Sequence, residues 1–250
     1  MTTPNRQGGR LPVLDGIRAL AAFYVLVFHE FDITVPQMGE RLPLPLRAIR
    51  NMFSFGHLAV CVFIVLSGFS LMLPMARSDS WKMKGGTKGY LRRRGRRVLP
   101  PYYAALAVSL IVMVGHDHLG LLSPGSLVSH LLLVQNWGSG WAVNINGPMW
   151  SVATEWQIYF LMPLVLIPLW RRYGATATIA VAFLIPSLVF FVVPNQYNLA
   201  WAAPWFLGSF ALGMWGAQVA FSPAAAARRF RDAPWRIIAV VAAVVVVAML

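Results

Sequence analysis

The sequence is poor in charge, and above all in acid. Only 12% of its 250 residues are charged, and 21 Lys and Arg stand against 8 Asp and Glu. Soluble globular domains carry about 25% charged residues, so an ordinary water-soluble domain is excluded. One cysteine is present, Cys61. It rules out an intramolecular disulfide and any multi-cysteine metal site. No P-loop, dinucleotide fingerprint, zincin helix or nucleophile elbow occurs, so the common soluble nucleotide, metal and serine-hydrolase chemistries have no anchor. The triplet HDH at 116–118 lacks helical ligand spacing and reads as solvated loop, and no metal is expected. There is no internal repeat, and the only low-complexity tract is AAAA at 224–227.

What the chain does have is apolar length. Hydrophobic residues make up 58% of it. The expected fold class is all-α, a polytopic transmembrane helical bundle. A span needs about 20 apolar residues. Runs of that kind fall at 13–31, 53–74, 98–115, 149–169, 175–193 and 201–221, with a last one starting near Arg236. That is about seven spans. The stretch SLVSHLLLVQNW at 126–137 is too short and holds His130 and Gln135, so it reads as interfacial or re-entrant. Residues 1–12 form a short basic tail, and 13–250 form the transmembrane domain. The first run lacks a small-residue cleavage site and reads as a retained span. The sequence stops inside the apolar run RIIAVVAAVVVVAML, and a truncated C-terminus is expected.

The formal charge of +13 would suggest nucleic acid in a soluble protein. In a membrane protein it follows from the positive-inside rule, and no nucleic-acid partner is expected. The 77–97 loop carries nine Lys and Arg and one acid, Asp79. Arg171 and Arg172 follow the fourth span, Arg228, Arg229 and Arg231 the sixth, and Arg6 and Arg10 precede the first. All fall on one side if the N-terminus is cytoplasmic and the spans alternate. Tryptophans near predicted span ends form an aromatic belt.

Ionisable residues inside such spans are functional candidates by default. In LDGIRALAAFYVLVFHE, residues 14–30, Arg18 and His29 are eleven positions apart. On a helix they lie about 20° apart around the axis and about 16 Å along it. One face thus carries a cation near the inner surface and an imidazole near the outer one. The plainer alternative is that Arg18 snorkels and pairs with Asp15 while His29 is interfacial.

In GYLRRRGRRVLPPYYAALAV, residues 89–108, five arginines crowd within six positions just before a span. Pro100 and Pro101 suit the first turn of a helix, which would bring a positive helix N-terminus beside Arg94 and Arg97. That combination suits a phosphorylated ligand; a stop-transfer cluster or an anionic-lipid anchor is the alternative. In GPMWSVATEWQIYFLMPLVL, residues 147–166, Glu155 is the only carboxylate, with Tyr159 one turn below it. Counting about 1.5 Å per residue from the outer edge puts Glu155 about 10 Å deep, level with His29, so the two are expected to pair. His57 reads as interfacial, and LSGF at 66–69 as a place where small residues let helices approach closely.

Taken together these segments resemble the acyltransferase-3 family of integral membrane acyltransferases, which O-acylate surface polysaccharides, lipopolysaccharide sugars, antibiotics and related hydroxyl compounds. The resemblance rests on LDGIRALA with Arg18 and His29, on VFIVLSGF, on RGRRVLP with Arg94 and Arg97, and on WSVATEWQIYF with Glu155, in that order. The position of a second acidic residue in the family is Trp156 here. The resemblance implies a bundle of about ten spans at about 20 residues each, in the cytoplasmic membrane with a cytoplasmic N-terminus. It implies acyl-CoA as co-substrate, its phosphates held by Arg94 and Arg97 with Arg93 beside them. Arg18 would guide the donor, and His29, oriented by Glu155, would deprotonate an acceptor hydroxyl or carry the acyl group itself. The acceptor would be a carbohydrate, a lipid-linked sugar or a small molecule bearing a hydroxyl. The competing class is a transporter or lipid-binding protein using the same buried charges as a path.

Overall fold

A computed structural model of the chain describes residues 11–38, 43–78, 81–118, 120, 122–138, 140–193, 199–223, 230–235, 237 and 239–240. Residues 1–10 of the basic tail and most of the run beyond Arg236 lie outside these residues. The described residues are mostly helical, with no strand among them. The helices are α1 (Pro12–Met38), α2 (Leu44–Met52), α3 (Gly56–Ser78), α4 (Gly86–Gly115), α5 (Pro124–Leu131), α6 (Met149–Leu161), α7 (Ile167–Val192), α8 (Leu199–Ala202) and α9 (Phe206–Phe221). A π-helical turn, Met162–Leu166, joins α6 to α7.

Among the described residues four stretches are long and apolar enough to cross a membrane: Pro12–Phe31, Leu44–Ser78, Gly86–Gly115 and Met149–Val192. The expected count of about seven is not reached by this measure: the expected span near Arg236 lies largely outside the described residues, and two physical reasons account for the rest. Helix α9, at 16 residues, is short for a span. The last stretch covers two expected spans in one continuous helical run. Its contacts with α9 show that it doubles back. Trp150 stacks near Phe206, and Trp170 donates to Gln218 at 3.0 Å, so the chain first runs alongside α9. Phe183 then lies against Gly208, and Phe190 meets Trp205 with ring centres 5.7 Å apart, so it returns. The break is at Gly174, with φ 80° and ψ 179°, a conformation that glycine adopts without strain.

The centre of the bundle is the pair α3 and α9. Cys61 meets Ser209, Val65 meets Gly213 and Phe69 meets Gly216, in the same chain order, so the two helices run parallel. Glycines set their closeness. A Cβ on Gly68 would overlap the carbonyl of Phe210, and a Cβ on Gly213 the carbonyl of Val65. The small residues of LSGF therefore let two backbones touch, as small residues do between membrane helices. Gly213→Ala is expected to destabilise the protein by about 1–3 kcal/mol, since backbone on both sides has little room to relax. Thermal unfolding in detergent checks this against Gly16→Ala, where an added Cβ meets nothing within 4 Å and stability should hold or rise.

Helix α1 packs on α3 in the opposite direction. The Phe28 ring occupies the space over Gly56 near the start of α3, and Arg18 reaches Leu66 and Ser70 farther along. Segment 126–137 folds as α5 and a 3₁₀ turn at Gln135–Trp137, too short to cross. It is stitched inward by polar side chains. Tyr102 donates to the carbonyl of His130 at 2.9 Å, Gln135 donates to the carbonyl of Met149 at 3.2 Å, and Asn136 donates to Thr154 at 2.9 Å. Gln135 and Asn136 are fully buried, where unpaired amides would each cost a few kcal/mol, so these bonds fix the segment against α4 and α6.

Candidate functional site

A cavity of about 380 Å³ lies between α1, α3, α4 and α6, and each helix gives it one face. From α4 come Arg94, Arg97, Val98, Pro101 and Ala105, a stripe at steps of three and four. From α6 come Met149, Val152, Glu155 and Tyr159; from α3, Ser67 and Ser70; from α1, Arg18. Three arginines and one carboxylate, drawn from three separate sequence segments, thus share one cavity. Val98, Pro101, Ala105, Val152 and Met149 make the rest of the wall largely apolar.

The polar groups are tied to one another. Arg18 donates to Asp15 at 3.3 Å, to the carbonyl of Leu66 at 3.3 Å, and to the hydroxyl of Ser70. The pairing of Arg18 with Asp15 that belonged to the plainer alternative is present, yet the same guanidinium also reaches across to α3 and the cavity. Glu155 Oε1 accepts from the Ser67 hydroxyl and from Tyr159 at 2.6 Å. Both donors tie the Glu155 side chain in place, Ser67 from α3 and Tyr159 from the next turn of α6. The Arg94 guanidinium lies over the Tyr159 ring, 5.9 Å from its centre. Arg94 Nε is buried and has no hydrogen-bond partner among the described residues. A buried unpaired donor on a cationic group is costly unless something meets it.

Three expectations change on this geometry. Helix α4 does not begin at Pro100. It begins at Gly86 and runs through both prolines. Each proline removes one bond, leaving the carbonyls of Arg96 and Arg97 without their helical donors, and the helix tolerates this. Arg94 and Arg97 therefore project from the body of a helix and not from beside its N-terminus. Arg93 points away from the cavity: its guanidinium donates to the carbonyl of Lys84 at 2.7 Å, holding the turn before α4.

Glu155 is not at the level of His29. Its carboxylate is bonded at Ser67, between the Leu66 and Ser70 contacts of Arg18, whereas Phe28, next to His29, meets Gly56 and His57. Ser67 and His57 are ten residues apart on α3, about 15 Å of rise. Counting residues inward from the helix end misplaced Glu155, because α3 and α6 are not in phase. His29 does not line the cavity. It stands toward the cavity's Met149 end, since Phe28 contacts His57, and His57 stacks on Trp150 with ring centres 5.5 Å apart. Ser67, Ser70 and Tyr102 also line the cavity, and sequence reasoning missed them: a hydroxyl in an apolar helix looks the same whether it packs or points into a site.

The chain matches an acyltransferase-domain family model over residues 11–250. It is 28% identical over 210 residues to "Acyltransferase MdmB" of Streptomyces mycarofaciens, an alignment covering 78% of this chain and 50% of that protein. It is 25% identical over 189 residues to "O-acetyltransferase OatA" of Staphylococcus aureus (strain NCTC 8325 / PS 47), covering 70% of this chain and 28% of that one. The chain thus spans half or less of the length of these relatives. No solved structure matches it.

Proposed function

The chain belongs to the acyltransferase-3 family, and from that premise we propose that it moves an acyl group, acetyl in the first instance, from acyl-CoA to a hydroxyl of a carbohydrate, lipid-linked sugar or similar acceptor. The observation that carries this reading is the cavity in which Arg18, Arg94 and Arg97 converge, with a buried donor on Arg94 left unmatched by the described protein. Phosphate oxygens are the natural partners of such a cluster, through charge-assisted hydrogen bonds. The apolar limb toward Met149 suits the uncharged pantetheine arm and acyl end of the donor.

In this reading Arg94 and Arg97 hold the phosphates of acyl-CoA, and Arg18, fixed by Asp15 and Ser70, neutralises charge farther in. Glu155 holds Tyr159 and Ser67 in place beneath Arg94, so it positions the arginine cluster. His29 acts at the other end. It takes the proton of the acceptor hydroxyl as that oxygen attacks the thioester carbonyl. A C–O bond forms, the C–S bond breaks, and the proton passes to the departing thiolate to give free CoA. In the covalent variant the His29 imidazole attacks the thioester carbonyl, a C–N bond forms and the C–S bond breaks to release CoA; the acceptor oxygen then attacks, its C–O bond replaces the C–N bond, and its proton passes to the freed imidazole. Both routes place donor recognition and chemistry at opposite ends of α1, about 16 Å apart.

The reading sets the basic ends of the bundle in the cytoplasm, where acyl-CoA is found. Cysteines placed at Lys84 and Asn144 should react with impermeant reagents from opposite sides of the membrane. Labelling of both from one side would overturn this orientation. The function itself is tested by incubating membranes carrying the protein with acetyl-CoA labelled in the acetyl group. Label in alkali-labile ester linkage to a hydroxyl-bearing component is expected. Uptake of label by the membranes with no ester formed would favour a transport path instead.

A further inference from the structure

A second cavity, of about 540 Å³, opens at the end of the bundle that carries the basic clusters, between the start of α4 and the junction of α6 with α7. It shares no residue with the first. Arg171 and Arg172 stand on one side of it, Trp81 and Thr87 on the other, and Pro163 and Pro168 form its floor. We propose that this cavity binds the phosphate headgroup of an anionic phospholipid from the adjoining leaflet, as a site separate from the acyl-transfer cavity and independent of the function proposed for it.

The backbone shapes this cavity. Pro163 and Pro168 have no N–H to give to the carbonyls four residues back, those of Tyr159 and Leu164. The chain between them takes up the loss as the π turn Met162–Leu166. Such turns widen a helix locally and recur at functional sites. Met162 and Leu166 point into the core, fully buried, while Pro163, Ile167 and Pro168 face the cavity. The turn thus hollows one side of the helix directly above Arg171 and Arg172.

The chemistry of the walls then selects the ligand. Two exposed, adjacent arginines offer several N–H donors to an anion. Thr87 adds a hydroxyl, and Trp81 a flat amphipathic ring of the kind that sits at headgroup depth. Among the described residues no acidic one lines the cavity. The floor of Pro163, Ile167 and Pro168 is apolar, suited to the glycerol and first methylenes of a lipid rather than to a second charge. Basic cavities between helices at this depth are the usual seats of anionic headgroups.

The test uses the whole chain, purified and reconstituted in phosphatidylcholine nanodiscs with a minor fraction of phosphatidylglycerol. Native mass spectrometry counts the phosphatidylglycerol retained after release. The wild-type protein should keep one such lipid. Arg171→Gln with Arg172→Gln should lower its affinity roughly tenfold or more, while Arg92→Gln, which removes a charge outside the cavity, should not. Thr87→Trp fills the cavity with all charges kept and should lose the lipid as well. Equal retention in all four proteins would overturn the site, since the arginines would then act as diffuse charge. Loss of CoA binding in the double variant, with lipid retention unchanged, would also overturn it, by assigning the cavity to the phosphates of the acyl donor.

Discussion

Replacing His29 with alanine should lower acyl transfer by about a thousandfold while leaving acyl-CoA affinity within about twofold of wild type. The expectation has two parts, and the structure bears on each. Donor affinity should survive because His29 is outside the cavity that holds the three arginines. It stands toward the far end of α1, beyond the Phe28 contact with His57. Turnover should collapse because the proposed mechanism assigns the hydroxyl proton to His29. General-base assistance is worth about 10²–10⁴ in rate, and loss of a covalent carrier would cost at least as much. The measurement is single-turnover transfer from labelled acetyl-CoA alongside equilibrium binding of CoA. If His29→Ala lowered both in proportion, His29 would be a structural or donor-binding residue. The two chemical routes separate in the same assay: label that stays on the wild-type chain when acceptor is withheld marks the acyl-histidine route.

The second large effect belongs to Arg94 and Arg97. Each alanine variant should weaken acyl-CoA binding about tenfold or more, the scale of a charge-assisted phosphate contact worth about 1.5–3 kcal/mol. Arg94 should be the more severe of the two. Its Nε is buried and its plane lies on Tyr159, so its position is fixed before any ligand arrives. Arg97 also lines the cavity but is exposed, and it can reorient. Arg93→Ala and Arg92→Ala should do less, because Arg93 is spent on the carbonyl of Lys84 and both lie off the cavity stripe of α4. Titration of CoA against each purified variant checks the ranking. Equal losses at 92, 93, 94 and 97 would mean that the cluster works only as undirected positive charge.

Much of this site was legible as residue type. Arg18, Arg94, Arg97 and Glu155 stand out because an ionisable group in an apolar run costs several kcal/mol and persists only for a reason. Their convergence follows from the helix periodicity: 94, 97, 98, 101 and 105 fall on one stripe whatever the partner helix is. The reversal at Gly174 was also visible, since Arg171 and Arg172 mark a charged end just before it. What the sequence did not show was the relative phase of the helices. Counting inward from the start of α6 put Glu155 level with His29, but phase is set by packing, here by Ser67 of α3 and the glycine contacts that fix α3 against α9. The continuity of α4 through Pro100 and Pro101 was likewise hidden. Adjacent prolines usually open a helix, and only the surrounding helices make it possible to carry two lost bonds in mid-span. Ser67 and Ser70 were silent for a related reason: one hydroxyl among apolar neighbours signals nothing until its partner, on another helix, is in place.

The central claim is that the cavity between α1, α3, α4 and α6 seats the acyl donor. The measurement that tests it most directly is photo-crosslinking of the membrane-embedded protein with a diazirine-bearing acyl-CoA, followed by peptide mapping. With the photoreactive group on the acyl end, adducts are predicted on the apolar limb, at Ala105, Met149 or Val152, and free CoA should suppress them. In Arg94→Ala the same adducts should fall with the loss of affinity. Adducts confined to the cavity beside Trp81 and Arg171, or spread over lipid-facing residues and unmoved by free CoA, would contradict the account.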